Sequence, residues 1–96
     1  MYAAIRRYDH AAGSVDDLLP DGRRLAAAVS HVPGFVAYVL LESGDGGLVA
    51  VSIFDDPAGL AGGERLVEGW ANERRAGPLS CPSEAITGEV IVQKGM

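Results

Sequence analysis

Two stretches of the chain are apolar on both alternating faces instead of on one. They run from Phe35 to Leu41 and from Leu48 to Phe54. This pattern is typical of β-strands whose sheet is covered on both faces. The intervening residues 42–47 are rich in glycine and short polar residues, so we expect the two strands to pair as a hairpin.

An amphipathic helix is predicted before the first of these strands. Ser14 and Asp17 form a pattern like a capping box, and an apolar stripe follows at helical spacing: Leu18, Leu25, Val29 and Val32. Pro20 lies inside the stripe and predicts a kink or an offset first turn. Pro33 and Gly34 end the segment.

A second helix is predicted to begin at Pro57, after the acidic caps Asp55 and Asp56, and to end at Gly77-Pro78. Its expected core face comprises Leu60, Gly63, Val67, Trp70 and Ala71. The glycines at positions 59, 62, 63 and 69 disfavour a helix. They indicate either a backbone that lies close to a neighbouring element or a frayed first half.

The two ends of the chain are predicted to form the remaining strands. Residues Tyr2 to Tyr8 form the first, and the alternating segment Ala85 to Gln93 forms an edge-like last strand. The order β-α-β-β-α-β is that of a ferredoxin-like α+β domain with a four-stranded antiparallel sheet. We expect one such domain over residues 1–96, without repeats or linkers.

The number of helices limits how this sheet can be covered. Two helices roof one face at most, yet the central strands are apolar on both faces. A second copy of the chain is the expected cover for the other face, so the sequence predicts a homodimer.

Composition excludes several classes of partner. The net charge of −5 disfavours nucleic acids, which are bound through Lys and Arg. No apolar run approaches the roughly 18 residues of a membrane span, and no membrane partner is expected. The one cysteine, Cys81, cannot form an internal disulfide, so a cytoplasmic location is the default expectation.

The whole chain resembles the dimeric α/β-barrel superfamily and, within it, the antibiotic biosynthesis monooxygenase family. The resemblance rests on Pro33-Gly34-Phe35 before the second strand, on Asp55-Asp56-Pro57 after the third, and on Trp70 late in the second helix. It implies two ferredoxin-like subunits whose sheets face each other. In each subunit, a pocket between sheet and helices would hold a small, often aromatic, ligand.

The resemblance leaves the activity open, because fold does not determine function. Members oxidise aromatic polyketide-like or quinol substrates with O₂ and no cofactor, degrade haem, or have no known activity. Haem-degrading relatives use an Asn on the first strand and a His after the helix-two Trp. This chain has neither, so we expect no cofactor and favour the cofactor-independent monooxygenases. The alternative is a non-catalytic, small-molecule-binding or structural protein.

Three residues are predicted to be catalytic and five to bind substrate. The catalytic group stabilises negative charge on the substrate and comprises Trp70, Tyr38 and Arg7; the binding group comprises Tyr8, Arg74, Asn72, His31 and Phe35. Each has a structural alternative. The aromatic residues are suited to the core, Asn72 and Arg74 to a solvated helix face, and His31 to a favourable helix-dipole contact.

Neighbouring Arg6 and Arg7 must point to opposite faces of their strand. The arginine on the covered face needs an anionic partner, either a carboxylate such as Glu89 or a substrate oxyanion. The two histidines show no metal-ligand spacing, so no metal site is predicted.

Overall fold

The computed structural model describes residues 1–8, 15–43, 47–73 and 83–95. Its elements follow the predicted order: β1 (Tyr2–Tyr8), α1 (Val15–Ser30), β2 (Phe35–Glu42), β3 (Leu48–Phe54), α2 (Pro57–Glu73) and β4 (Glu84–Glu89). Pro20 lies within α1. The predicted cap at Ser14 and the predicted helix end at Gly77-Pro78 fall outside the described residues.

The four strands form one antiparallel sheet in the order β2-β3-β1-β4. The β2–β3 hairpin is present, and β1 inserts between β3 and β4. This is the ferredoxin-like arrangement predicted from the sequence. β4 pairs with β1 alone and is an edge strand, as predicted.

The start of α2 is determined by local chemistry. Asp56 is its N-cap: the backbone N–H of Gly59 donates a 2.6 Å hydrogen bond to Asp56 Oδ1. Pro57 takes the first helical position, where no N–H is needed. Just before it, the N–H of Asp55 donates to the carbonyl of Gly34, whose φ of 86° requires glycine. The Asp55–Gly34 hydrogen bond thereby links the connection between α1 and β2 to the connection between β3 and α2.

The glycines of α2 reflect close packing in the first half of the helix. A Cβ at Gly59 would lie 2.7 Å from the Pro33 carbonyl oxygen, and a Cβ at Gly63 would collide with the Phe54 ring. A Cβ at Gly69 would meet nothing within 4 Å. The close-approach interpretation is therefore confirmed for the first half of α2.

Both helices pack on one face of the sheet, which we call the helix-covered face. Its centre is a buried cluster of Leu25 and Val29 from α1, Phe54 from β3 and Val67 from α2. Phe35 adds an edge-to-face ring contact with Phe54, at a centroid distance of 6.1 Å. α2 thus buries Gly63 and Val67 of its predicted stripe and partly buries Leu60 and Trp70, while the side chain of Ala71 lies outside the described part of the structure.

The opposite face carries no helix from the described part of the chain, and we call it the open face. The ladder aligns apolar side chains across all four strands there, with Val39 and Ile5 each opposite Val51 and Ile86 opposite Ile5. Exposed fractions are 38% for Ile5, 50% for Val39 and 52% for Ile86. An apolar face of this kind marks a surface suited to association.

The last strand is shorter than predicted. β4 ends at Glu89, not Gln93, because Glu89 pairs with Tyr2, the first residue of β1. One further bond runs from the Val90 N–H to the Met1 carbonyl. Beyond it Ile91 and Val92 are 88% and 85% exposed. The alternating sequence pattern therefore continues past Glu89, but these residues have no pairing with β1.

Candidate functional site

The helix-covered face contains two buried polar residues among those described, Arg6 and Ser52. β1 and β3 alternate buried and more exposed positions, so Ala4, Arg6 and Tyr8 share the covered side. Across the ladder, Ser52 lies opposite both Ala4 and Tyr38. The polar groups of the covered face are thereby drawn from three adjacent strands.

Arg6 is paired with a carboxylate from the helix above it. Its Nη2 donates a 2.8 Å hydrogen bond to Oε2 of Glu64 on α2, and the two side chains are 10% and 24% exposed. This charge-assisted hydrogen bond supplies the anionic partner that a buried guanidinium requires. The sequence predicted a carboxylate such as Glu89; the partner is a carboxylate, but it belongs to Glu64. Glu89 is exposed and accepts a hydrogen bond from the Tyr2 hydroxyl, which raises the pKa of that phenol.

Arg7 lies on the other side of β1. Its side chain is 53% exposed on the open face and forms a 3.2 Å ion pair with Glu84, its neighbour on β4. The arginine that faces the helix-covered side is therefore Arg6, whereas the prediction had assumed that Arg7 points inward. Arg6 and Arg7 face opposite sides because side chains alternate along β1, and the buried positions of that strand include Arg6.

Three predicted aromatic residues come together on the helix-covered face. Tyr8 is 4% exposed and forms a cluster with Leu48 and Ala50; Tyr38 and Trp70 pack against that cluster. Tyr38 and Trp70 also contact the main core around Phe54. The structure thus brings Trp70, Tyr38 and Tyr8 into one group, as the sequence hypothesis requires.

Tyr38 has an uncommitted hydroxyl group. Burial, and to a lesser extent Tyr8, raise its pKa to about 12, while the Arg6 guanidinium opposes the shift. Within the described residues this hydroxyl makes no hydrogen bond, and no buried polar side-chain atom there lacks a partner. The Tyr38 hydroxyl therefore keeps some accessible surface and stays a neutral hydrogen-bond donor at physiological pH.

A pocket of about 200 Å³ opens beside Tyr38, between α1 and β2. It is lined by Leu19, Gly22, Arg23, Ala26, Tyr38 and Leu40. A Cβ at Gly22 would lie 2.8 Å from a methyl carbon of Leu40, so glycine lets α1 approach β2 here. The exposed Arg23 is the cationic residue of this lining. The volume is below the roughly 300–1,000 Å³ usual for drug-sized ligands, which favours a small occupant.

Two of the other predicted binding residues have side chains that the structure describes, and neither joins this group. Phe35 packs in the core against Phe54. His31 is exposed in the turn after α1. The side chain of Asn72 and all of Arg74 lie outside the described residues, so their roles remain predictions.

Glu64 was missed by the sequence reasoning. It is 58 positions from Arg6 along the chain, and no local pattern links the two. One signal was present, because Glu64 follows Leu60 by four positions and so borders the apolar stripe of α2. An acidic residue at such a border is a candidate partner for a buried arginine.

No cluster of three or more potential metal ligands occurs in residues 1–8, 15–43, 47–73 and 83–95. Within the same ranges, none of the helices has the length and apolar character of a membrane span. The cytoplasmic location stays a prediction.

Comparison with solved structures identifies the fold. The chain is similar to SnoaB, a cofactor-independent oxygenase from Streptomyces nogalater, with 21% identity, a TM-score of 0.68, and coverage of 99% of this chain and 95% of that one. A protein from Chloroflexus aurantiacus, provisionally named an antibiotic biosynthesis monooxygenase, gives 17% identity, a TM-score of 0.71, and coverage of 98% and 96%. This chain has the antibiotic biosynthesis monooxygenase fold.

A variant of MhuD, crystallised with two manganese protoporphyrin IX molecules in each active site, is also similar. It has 20% identity, a TM-score of 0.74 and full coverage of both chains. No protein-family model and no curated protein matches the sequence. The similarity confirms the predicted ferredoxin-like fold of this group, and it covers proteins of more than one activity.

Proposed function

We propose that the chain forms a homodimer through its open face. The apolar residues of that face come into register across all four strands, with Val39, Ile5 and Ile86 exposed and Val51 half-buried. A second copy, related to the first by a two-fold axis, would bury these residues against the identical surface of its own sheet. Light scattering on the purified protein is expected to give twice the mass of one chain; a stable monomer at micromolar concentration would disprove the proposal.

We propose further that the protein oxidises a small aromatic substrate with O₂ and without a cofactor. The observation that carries this is the uncommitted Tyr38 hydroxyl, held as a neutral donor beside a pocket and within electrostatic range of Arg6. Preorganised donors of this kind stabilise negative charge that develops on a bound substrate. Tyr8 and Trp70 would hold the ring by packing.

In this reaction the substrate supplies most of the chemistry. A quinol or an anthrone-like compound loses a proton and becomes an anion, which can pass an electron to O₂. With an anthrone-like substrate, a CH₂ group and O₂ give a carbonyl group and water; with a quinol, oxidation and insertion of one oxygen atom at a ring C–H give a hydroxyquinone and water. In both cases one oxygen atom enters the product and the other leaves as water. The protein would exclude water, orient the ring, and stabilise the anion through Tyr38 and Arg6.

The test is oxygen uptake with a panel that runs from one-ring quinols to dithranol. Turnover above the rate in buffer is expected, with smaller members favoured by the pocket volume. Tyr38→Phe is expected to lower kcat/KM by about 10²-fold, since it removes one charge-stabilising donor. Absence of turnover across the whole panel would refute the catalytic proposal.

A second candidate is a non-catalytic binding protein. One observation favours it, because Arg6 and Arg7 are both paired with protein carboxylates. Against it, the pocket includes Tyr38 and Arg23 and is not purely aliphatic. Quenching of Trp70 fluorescence by panel members, without oxygen uptake, would select this candidate.

Haem degradation has less support than either candidate. The similarity to MhuD concerns fold, and His31, the one histidine among the described residues, is exposed in a turn. We expect no shift of the Soret band when haem is added. A shift would place haem binding ahead of both other candidates.

A further inference from the structure

The Arg6–Glu64 pair has unused bonding capacity on both partners. The hydrogen bond between them joins one guanidinium nitrogen, Nη2, to one carboxylate oxygen, Oε2. Within the described part of the chain neither side chain has another hydrogen bond. A guanidinium has five N–H donors and a carboxylate has two oxygens, so Oε1 of Glu64 and most donors of Arg6 are uncommitted.

These uncommitted atoms are accessible. No fully buried side-chain nitrogen or oxygen in the described ranges lacks a partner, so the remaining Arg6 donors and Glu64 Oε1 must keep some contact with solvent-filled space. Arg6 is flanked on its face by alanines at its paired positions, Ala50 on β3 and Ala85 on β4. Ala50 is buried, whereas Ala85 is exposed, so another molecule would approach the guanidinium from the β4 side.

The charges at this site restrict the substrate. Arg6 and Glu64 neutralise each other, so an anionic ligand would add a net negative charge at a poorly solvated position. A neutral ligand adds none. If it gives a proton to Glu64, the negative charge moves from the carboxylate to the ligand, and Arg6 keeps an anionic partner throughout.

On the basis of the proposed oxidation, we infer that Glu64 is the general base and that the substrate binds as a neutral carbon or oxygen acid. Glu64 Oε1 takes the proton, and the electron pair of the broken C–H or O–H bond stays on the substrate. The new anion is stabilised by the free N–H donors of Arg6 and by the Tyr38 hydroxyl. Before and after this step the site has the same net charge, so the transfer does not create an unpaired buried charge.

The experiment measures proton transfer alone, without O₂. Dithranol is incubated anaerobically in D₂O with the protein, and deuterium incorporation at its acidic CH₂ group is followed by NMR. Deuterium incorporation into dithranol is expected to be faster with the native protein than in buffer alone. Glu64→Gln is expected to reduce the protein-dependent rate by about 10²-fold or more, the usual contribution of a general base.

Glu68→Gln is the matched control, because Glu68 lies one turn further along α2 and is exposed. It removes the same charge from the same helix and is expected to exchange dithranol at the native rate. Should Glu64→Gln fail to fold, Glu64→Asp decides. It keeps the charge but withdraws the carboxylate by one methylene, and a loss of about tenfold or more is expected.

The outcomes separate this inference from the proposed oxidation. Exchange that depends on Glu64, with or without oxygen uptake, supports Glu64 as the base. Oxygen uptake with exchange unchanged in the folded Glu64 variant overturns the base and leaves the oxidation standing. No protein-dependent exchange at all also overturns the base.

Discussion

The two faces of the sheet are built from similar residues and have different environments. On the helix-covered face Phe54 is 0% exposed and Tyr8 4%; on the open face Val39 is 50% and Ile86 52% exposed. The difference arises because the two helices among the described residues both pack on the same side. A face closed within one chain can hold polar groups in a fixed, poorly solvated arrangement, whereas the open face offers area for association.

Arg6 and Arg7 show the same contrast within one dipeptide. The Arg6 side chain is 10% exposed and bonded to Glu64, whereas that of Arg7 is 53% exposed and paired with Glu84. The exposed pair contributes on the order of 0–1 kcal/mol, because water and salt screen it. The covered Arg6–Glu64 pair is largely removed from water. Removal of one partner would therefore leave an unpaired, desolvated charge, which destabilises the fold.

The largest effect is expected from Phe54→Ala in the core. Phe54 is fully buried between the two helices, so its loss should lower the free energy of unfolding by about 3–5 kcal/mol. Urea denaturation at high dilution measures the change. Ile86→Ala on the open face should cost less than about 1.5 kcal/mol under the same conditions; equal losses would contradict the difference between the faces.

Val39→Asp is expected to separate the proposed dimer. Val39 is half exposed in one chain, so the fold should tolerate an aspartate, but a second copy would bury two such charges. We expect the dissociation constant to rise at least about 100-fold, or about 3 kcal/mol. Analytical ultracentrifugation measures it. Ala61→Asp, which adds the same charge to the exposed surface of α2, should leave the mass unchanged.

Two glycines of α2 offer a matched pair. Gly63→Ala would force a methyl group into the Phe54 ring and should destabilise the protein by about 1–3 kcal/mol. Gly69→Ala meets nothing within 4 Å and should stabilise the helix by about 0.5–1 kcal/mol. Denaturation curves for both variants measure the difference. The close-packing explanation requires opposite signs, and two stabilising substitutions would refute it.

The pKa of Tyr38 predicts a pH dependence of stability. Its folded value of about 12 exceeds the usual value of 10, so the folded state holds this proton more tightly. The resulting stability is fully present below pH 10 and is lost as pH rises through 12. After allowance for partial exposure we expect about 1–2 kcal/mol. Tyr38→Phe should lose correspondingly less stability between pH 9 and pH 12; equal slopes would argue against a buried phenol.

Much of the fold was predictable because the signals are local. β1 and β3 have the predicted bounds, and β2 extends one residue further, to Glu42. These strands are recognisable because apolar runs end at glycine-rich or acidic turns. The end of β4 was predicted four residues too late, because its pattern continues past the point where β1 offers a neighbour.

The candidate site was less predictable, because it depends on distances between elements. Tyr8, Tyr38 and Trp70 were identified by residue type and do come together. His31 and Phe35 were chosen in the same way, yet one is exposed in a turn and the other lies in the core. Residue type indicates what a side chain can do, and packing decides whether it has a partner.

By itself, the sequence determined the order of strands and helices and the excess of apolar sheet over helical cover, since both follow from periodicity along the chain. Tertiary structure alone decided that Arg6 faces inward, that Glu64 meets it, and that Gly63 lies against Phe54. The physical reason is that alternation along a strand places neighbouring side chains on opposite faces of the sheet but does not determine which of the two faces the helices cover. A contact across 58 positions exists only after the helix has docked on the sheet.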